Sequence, residues 1–149
     1  MKTILCASLA LIGLASAQAQ NLEKSLVGAW KVDAKTIKYA PSAKAKEEIA
    51  KQKPGAVDSL IKMVGASLAP MTFTFKADHT FMVSGKKPGA TTDTVDKGKW
   101  TLKGQSVTIK LDKPAPMQPS FTIAKNGKTL QLVQSQANFG TMTIGFVRK

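Results

Sequence analysis

Hydrophobic and polar residues alternate along most of the chain with a period of two, the spacing of strands that bury one face. The first such segment is 28–34, in which Trp30, Val32 and Ala34 share one side. After Pro70 the same period continues to the end of the chain, and the total is about eight strands separated by turn residues. The predicted inward residues after Pro70 are Phe73, Phe75, Phe81, Val83, Val95, Trp100, Leu102, Val107, Ile109, Leu111, Phe121, Ile123, Leu130, Leu132, Met142, Ile144 and Phe146.

Turn signals divide this second region into hairpins. The segment 77–79 and the pair Asn126–Gly127 each predict a tight turn between two strands. The parity of the inward positions changes between Val95 and Trp100, which predicts a bulge near Gly98. Short strands at this spacing are typical of an up-and-down barrel or a sandwich.

Between the first strand and Pro70 the pattern is helical. An alanine-rich, charged run from Pro41 to about Lys53 ends at Pro54–Gly55. Apolar residues then recur at helical spacing from Val57 to Leu68. The sequence therefore predicts two short helices in a hairpin, of which the second carries the more apolar face.

The first residues have the layout of a secretory signal peptide. Lys2 precedes an apolar run, and the small-residue stretch 15–19 follows it. We expect residues 1–19 to be a signal peptide cleaved after Ala17 or Ala19, a single domain over 20–149, and a secreted or periplasmic protein. Cys6, the only cysteine, would leave with the signal. No later apolar run is long enough to predict a membrane-spanning helix.

The chain is strongly basic, with a formal net charge of +13. This charge favours anionic partners through a long-range attraction that salt screens. All basic residues except Arg148 are lysines, whereas reading of bases favours the planar guanidinium group. We therefore expect no sequence-specific binding of nucleic acid, and either a solvated lysine surface or a surface that binds an anionic envelope component.

Residue types that carry catalysis are scarce. His79 is the only histidine and lies in a predicted turn, where a structural role is usual. No phosphate-binding loop, dinucleotide-binding glycine motif or zinc-protease motif is present. The sequence predicts no catalytic residues, no metal site, no cofactor and no enzymatic activity.

Three segments resemble bacterial lipocalin-like proteins of the calycin superfamily. The opening 26–32 resembles the Gly-x-Trp signature of their first strand, here Gly28 and Trp30, and the segments 75–81 and 98–102 are similar to their hairpins. The resemblance spans essentially residues 20–149. It implies a mainly β fold, an antiparallel up-and-down barrel of about eight strands with a two-helix insertion between strands 1 and 2.

The resemblance also implies roles for particular residues. The tryptophan of the first strand typically packs beneath a basic residue from the end of the barrel, and the parity of the last strand makes Arg148 the partner of Trp30. The helical pair resembles the lid of fatty-acid-binding members. This chain lacks the additional arginine and tyrosine residues with which those members hold a carboxylate.

Two functions follow as expectations. The first is binding of a small apolar or amphipathic ligand in the barrel; the second is a non-enzymatic interaction module whose lysine-rich surface binds an anionic envelope component or a protein partner. The interior is either filled by its aromatic residues or lines a cavity. If it lines a cavity, the predicted ligand-binding residues are Trp30, Leu60, Ile61, Val64, Phe73, Phe75, Phe81, Trp100, Phe121 and Phe146.

Overall fold

The computed structural model describes residues 19–86, 91–113 and 119–149. Eight strands form one closed antiparallel barrel in which every strand pairs with its neighbours in sequence and the last strand pairs with the first. The strands are β1 (Gly28–Pro41), β2 (Thr72–Phe75), β3 (Thr80–Lys86), β4 (Asp93–Lys103), β5 (Ser106–Leu111), β6 (Ser120–Ile123), β7 (Leu130–Gln136) and β8 (Gly140–Arg148).

Helices precede and follow the first strand. Residues 19–26 form α1, and α2 (Ala43–Ala50) and α3 (Ala56–Leu68) lie between β1 and β2. The eight-stranded antiparallel barrel and its two-helix insertion are as the sequence predicts. The helix α1 was not predicted, because the sequence reasoning assigned no structure to the few residues between the signal peptide and the first strand.

The core follows from the period-two pattern. In β5 and β6 exposed residues alternate strictly with buried Val107, Ile109, Phe121 and Ile123. The same alternation in the other strands fills the barrel with one apolar cluster that includes both tryptophans. Burial of these side chains, worth about 25 cal/mol for each Å² of apolar surface, is the main stabilising term.

The ladder between β1 and β8 closes the barrel. Trp30 pairs with Arg148 at one end of this ladder and Pro41 pairs with Gly140 at the other. The register shifts between Asp33 and Lys38, where the hydroxyl group of Thr36 accepts a hydrogen bond of 2.9 Å from the backbone N–H of Gly145. β1 therefore continues through residues 35–41, which the sequence analysis did not assign to the strand.

Local chemistry fixes the helical hairpin. Ser42 caps α2, because its hydroxyl group accepts the backbone N–H of Ala45 at 3.2 Å. The turn before α3 is at Gly55, whose φ of 89° is in the left-handed region that glycine adopts readily. Gly65 of α3 is buried against β1, where its position allows the close approach of Ile37 and Ala34.

The barrel has two different ends. At the closed end, α1 lies with the β2–β3, β4–β5 and β6–β7 turns, and Leu26 of α1 is completely buried. At the mouth, the opposite end, lie the helical hairpin and the turn 137–139 between β7 and β8.

One local prediction is wrong. β4 pairs in regular register with both β3 and β5, and the described chain has no bulge at Gly98. Val95 was predicted to point inward, but it is 47% exposed and lies on the outer face. Asp96 and Gly98 take the inward positions, so a polar residue and a residue without a side chain produced the apparent change of parity.

Residues 1–18 of the predicted signal peptide, which include Cys6, lie outside the described residues, whereas Ala19, its last residue, is the first described residue of α1. The Pro88–Gly89 loop and residues 114–118 of the proline-containing connection also lie outside the described residues.

Candidate functional site

The aromatic residues predicted to bind a ligand, if the barrel has a cavity, lie in the buried core of the barrel. Trp30, Phe75, Phe81, Trp100, Phe121 and Phe146 are at most 2% exposed. The rings of Phe75, Phe81, Trp100, Phe121 and Phe146 form a connected set of contacts: the centroids of Phe75 and Phe81 are 5.0 Å apart, those of Phe75 and Trp100 are 6.0 Å apart, and those of Phe121 and Phe146 are 5.4 Å apart. Edge-to-face and tilted pairs at this spacing stabilise a packed core beyond their buried area. In the described interior these six residues therefore pack mainly against other side chains.

Trp30 and Arg148 lie together at the closed end. The guanidinium carbon of Arg148 is 5.3 Å from the centroid of the Trp30 ring, a contact worth about 0.5–2 kcal/mol. Arg148 also donates hydrogen bonds to the backbone carbonyls of Ser25 and Val27. The indole N–H of Trp30 donates to the carbonyl of Leu26 at 2.8 Å. The end of α1 is thereby fixed to the barrel, a role for α1 that sequence reasoning missed.

Trp100 lies under the β2–β3 turn. Its indole N–H donates to the carbonyl of Lys76 at 3.0 Å, and the ring of His79 lies 4.5 Å from the indole ring. The His79 Nε2 atom is 3.1 Å from a carboxylate oxygen of Glu23 in α1. The histidine packs the turn against α1 and the core.

A small cleft opens at the mouth of the barrel. It has a volume of about 90 Å³, room for a few water-sized groups. Of the ten predicted ligand-binding residues, Phe73 and Phe81 line it. Its full lining is Met71, Phe73, Phe81, Val83, Gly85, Thr94, Asp96, Leu111 and Pro119. A cleft of this size holds one end of a molecule, since ligand sites usually measure about 300–1,000 Å³.

A larger apolar site lies beside the mouth, between the helical hairpin and the turn 137–139. We call it the helical groove, and its volume is about 340 Å³. Its apolar lining is Tyr39, Ala45, Ile49, Ala56, Val57, Leu60 and Phe139, and its polar lining is Glu48, Gln52 and Asn138. An apolar surface with a few polar groups is the usual composition of a small-molecule site.

Contacts between β1, α2 and the turn 137–139 hold one wall of the groove in place. The rings of Tyr39 and Phe139 are 4.9 Å apart. The Tyr39 hydroxyl group donates to the Phe139 carbonyl at 2.5 Å, and the Ser42 hydroxyl group donates to the carbonyl of Asn138 at 2.9 Å. The aromatic wall is therefore preorganised, which reduces the entropy lost on binding.

Sequence reasoning found only part of this groove. Leu60 is the one predicted ligand-binding residue in its lining, while Ile61 and Val64 are half-buried and pack against the barrel core. The apolar spacing of α3 pointed to a buried face but not to what covers it. Tyr39 and Phe139 were missed because they lie 100 positions apart and only closure of β1 on β8 brings them together.

Across residues 19–86, 91–113 and 119–149, no group of three or more His, Cys, Asp or Glu residues is arranged to hold a metal ion. Within the same ranges no helix is long and apolar enough to cross a membrane.

Two comparisons with known proteins found similar chains. The family model described as a lipocalin-like domain matches residues 26–144. A solved structure, a DUF4847 family protein from Bacteroides vulgatus ATCC 8482, is 17% identical with a TM-score of 0.49, covering 85% of this chain and 96% of that one. The chain has no significant match among curated proteins.

Proposed function

This chain belongs to the lipocalin-like domain family, and from that premise we propose that it is an exported, non-enzymatic protein that binds a small apolar or amphipathic molecule. The barrel fold of the family suggests ligand binding in general. Our proposal adds the location of the ligand, its chemical class and the export of the protein.

We place the apolar part of the ligand in the helical groove. The observation that carries this choice is the contrast between the filled barrel and the groove of about 340 Å³. Six of the aromatic residues expected to face a ligand are buried in one apolar cluster. Tyr39 and Phe139 instead present an aromatic wall at the surface, and Phe139 is 41% exposed. An exposed aromatic wall lining a concave apolar site is typical of ligand binding.

The polar groups of the groove suit an amphipathic molecule. Glu48, Gln52 and Asn138 lie among its lining residues, and the Glu48 carboxylate is 3.0 Å from the ammonium group of Lys51. Hydrogen bonds to such groups orient a ligand whose apolar part contacts Ile49 and Val57. The lining contains neither histidine nor cysteine. Binding without chemical conversion is the simplest activity for this set of side chains.

The test uses the neutral fluorescent probe N-phenyl-1-naphthylamine, which the lysines do not attract. We expect Phe139→Ala to weaken probe binding about tenfold, because about 1.4 kcal/mol of aromatic contact is lost. Met63→Ala is the matched control: Met63 is 61% exposed and lies on α3 outside the groove lining. Its Kd should remain within about twofold of the unmodified protein.

Nuclear magnetic resonance then locates the probe. Shifts centred on Tyr39 and Phe139 support the groove. The proposal is wrong if Phe139→Ala binds as the unmodified protein does, or if the shifts centre on Phe73 and Phe81 in the mouth cleft.

A second candidate function is favoured by the outer wall of the barrel. Lys97, Lys99, Lys103 and Lys110 lie on the exposed face of β4 and β5, and Lys99 is directly opposite Lys110. Like charges in that position destabilise a sheet. A polyanion laid across the face would neutralise them, so we propose binding of an anionic envelope component as the alternative function.

A further inference from the structure

The closed end of the barrel carries a broad concave surface that neither proposed function uses. We call it the basic depression. It has a volume of about 690 Å³, and its polar and charged lining residues are Asn21, Lys24, Ser25, Asn126, Lys128 and Arg148. One wall is α1, the opposite wall is the β6–β7 turn, and Arg148 at the end of β8 lies between them.

The two walls are in direct contact, so the depression has a defined shape. A side chain at Gly127 in the β6–β7 turn would lie 2.5 Å from the side chain of Ser25 in α1, closer than atoms can pack. The φ of Gly127 is +67°, which glycine adopts without strain. The backbone N–H of Gly127 donates to the carbonyl of Ala124 at 2.8 Å, which holds the turn tight.

The charges of the depression are all of one sign. Lys24, Lys128 and Arg148 line it, and its lining includes no aspartate or glutamate. In the part of the chain that the structure describes, none of these three cations forms an ion pair with an acid. Glu23 is next to Lys24 in sequence, but its carboxylate contacts His79. Three cations around one concavity repel one another and attract an anion.

The geometry of Arg148 and Asn126 suits an oxyanion. The carbonyls of Ser25 and Val27 and the Trp30 ring hold the guanidinium group in a fixed position. Both carbonyl bonds use the Nη2 group, so the Nε–H and Nη1–H groups of Arg148 are left as donors for phosphate or sulfate oxygens. The Asn126 side-chain oxygen accepts the backbone N–H of Lys128 at 3.0 Å, which leaves the side-chain NH₂ group of Asn126 as a further donor.

We propose that the basic depression is a binding site for an oxyanion, a phosphate or sulfate ester, with Arg148 as the oriented donor and Lys24 and Lys128 as the neutralising charges. The site lies at the end opposite the helical groove and does not depend on it. The shared chemistry is the oxyanion, whether it belongs to a free molecule or to a lipid headgroup.

Calorimetric titration with inorganic pyrophosphate at low salt tests the proposal. We expect saturable one-to-one binding that the double variant Lys24→Gln/Lys128→Gln weakens at least tenfold. The matched control is Lys44→Gln/Lys62→Gln, which removes the same charge from the helical hairpin at the opposite end of the barrel and should change the Kd less than threefold. Both variants replace exposed side chains, and their thermal unfolding verifies that they fold.

Equal weakening in the two variants would mean that pyrophosphate responds only to net charge, and it would overturn the proposal, as would absence of binding to the unmodified protein. Competition by phosphatidylglycerol vesicles, but not by neutral phosphatidylcholine vesicles, assigns the oxyanion to a lipid headgroup. Pyrophosphate binding that vesicles do not displace assigns it to a soluble molecule. Probe binding in the helical groove is measured separately, so failure of one proposal leaves the other intact.

Discussion

Asp78, in the turn between β2 and β3, has a lowered pKa. Its carboxylate accepts hydrogen bonds from the hydroxyl group of Thr80 at 2.6 Å and from the backbone N–H of Thr80 at 3.0 Å. The Thr80 hydroxyl is the main cause that lowers the pKa of Asp78, because these bonds favour the charged form. The stabilisation from these two hydrogen bonds is present at neutral pH, where the carboxylate is charged. It is lost as the pH falls through the lowered pKa of Asp78 in the folded state and the carboxylate is protonated.

Replacing that hydroxyl group should reverse the effect. We expect Thr80→Val to raise the pKa of Asp78 toward its ordinary value, and Thr80→Ser, which keeps the hydroxyl group, to leave it low. The measurement is the carboxyl carbon shift of Asp78 during an acid titration followed by nuclear magnetic resonance. An unchanged pKa in Thr80→Val would show that the hydroxyl group is not the cause.

The position of His79 in a turn could be predicted from the sequence, but its contacts could not. Its position after Asp78 predicts a turn, and the structure places it there with a φ of 61°. Non-glycine residues seldom adopt this left-handed region, but histidine is among those enriched there. Its contacts with the Trp100 ring and with Glu23 hold it in this conformation. Neither contact has a local sequence signal, because both join segments that are far apart along the chain.

At the scale of the element, Gly98 allows a close approach between β4 and β5. A side chain there would lie 2.3 Å from the backbone carbonyl oxygen of Lys110 on β5. Glycine inside a strand often marks such a close approach of a neighbouring strand in a barrel. The change of parity that predicted a bulge here comes from the inward Asp96 and from Gly98, which has no side chain.

Two glycine substitutions should have different outcomes. We expect Gly98→Ala to lower the free energy of unfolding by about 1–3 kcal/mol, because the backbone of β5 has to move. Gly65→Ala in α3 should have no cost and gain up to about 1 kcal/mol of helix propensity. Its added carbon would lie in ordinary contact, 3.4 Å from Ile37 and 3.6 Å from Ala34. Chemical denaturation measures both, and a Gly98→Ala protein of unchanged stability would contradict the role assigned to Gly98.

The whole molecule is basic, with a formal net charge of +13, and the wall formed by β4 and β5 concentrates part of that charge. If this wall is the contact for a polyanion, binding to dextran sulfate should weaken steeply as salt rises. Lys99→Gln/Lys110→Gln should weaken it more than Lys44→Gln/Lys62→Gln, which removes two lysines from the helical hairpin. Binding measured over a salt series checks this, and equal effects of the two pairs would exclude a localised contact.

More of the fold than of the candidate sites could be predicted from the sequence. Alternation such as that of Val107 and Ile109 is a local signal, and a barrel or a sandwich is expected when enough such strands bury one face. The groove depends on Tyr39 meeting Phe139, and the basic depression depends on α1 meeting the β6–β7 turn. These are products of barrel closure, which local periodicity does not encode. The filled interior likewise depends on how rings pack together, which residue types alone do not fix.

The uneven pairing of β1 has a consequence for self-association. Its ladder with β2 covers only Gly28–Trp30, whereas its ladder with β8 extends to Pro41. The remaining edge of β1 would present backbone groups able to pair with a strand of another molecule. Helix α3 packs against this part of β1, where Gly65 approaches Ile37. The hairpin that forms a wall of the groove therefore also shields the chain from edge-to-edge aggregation.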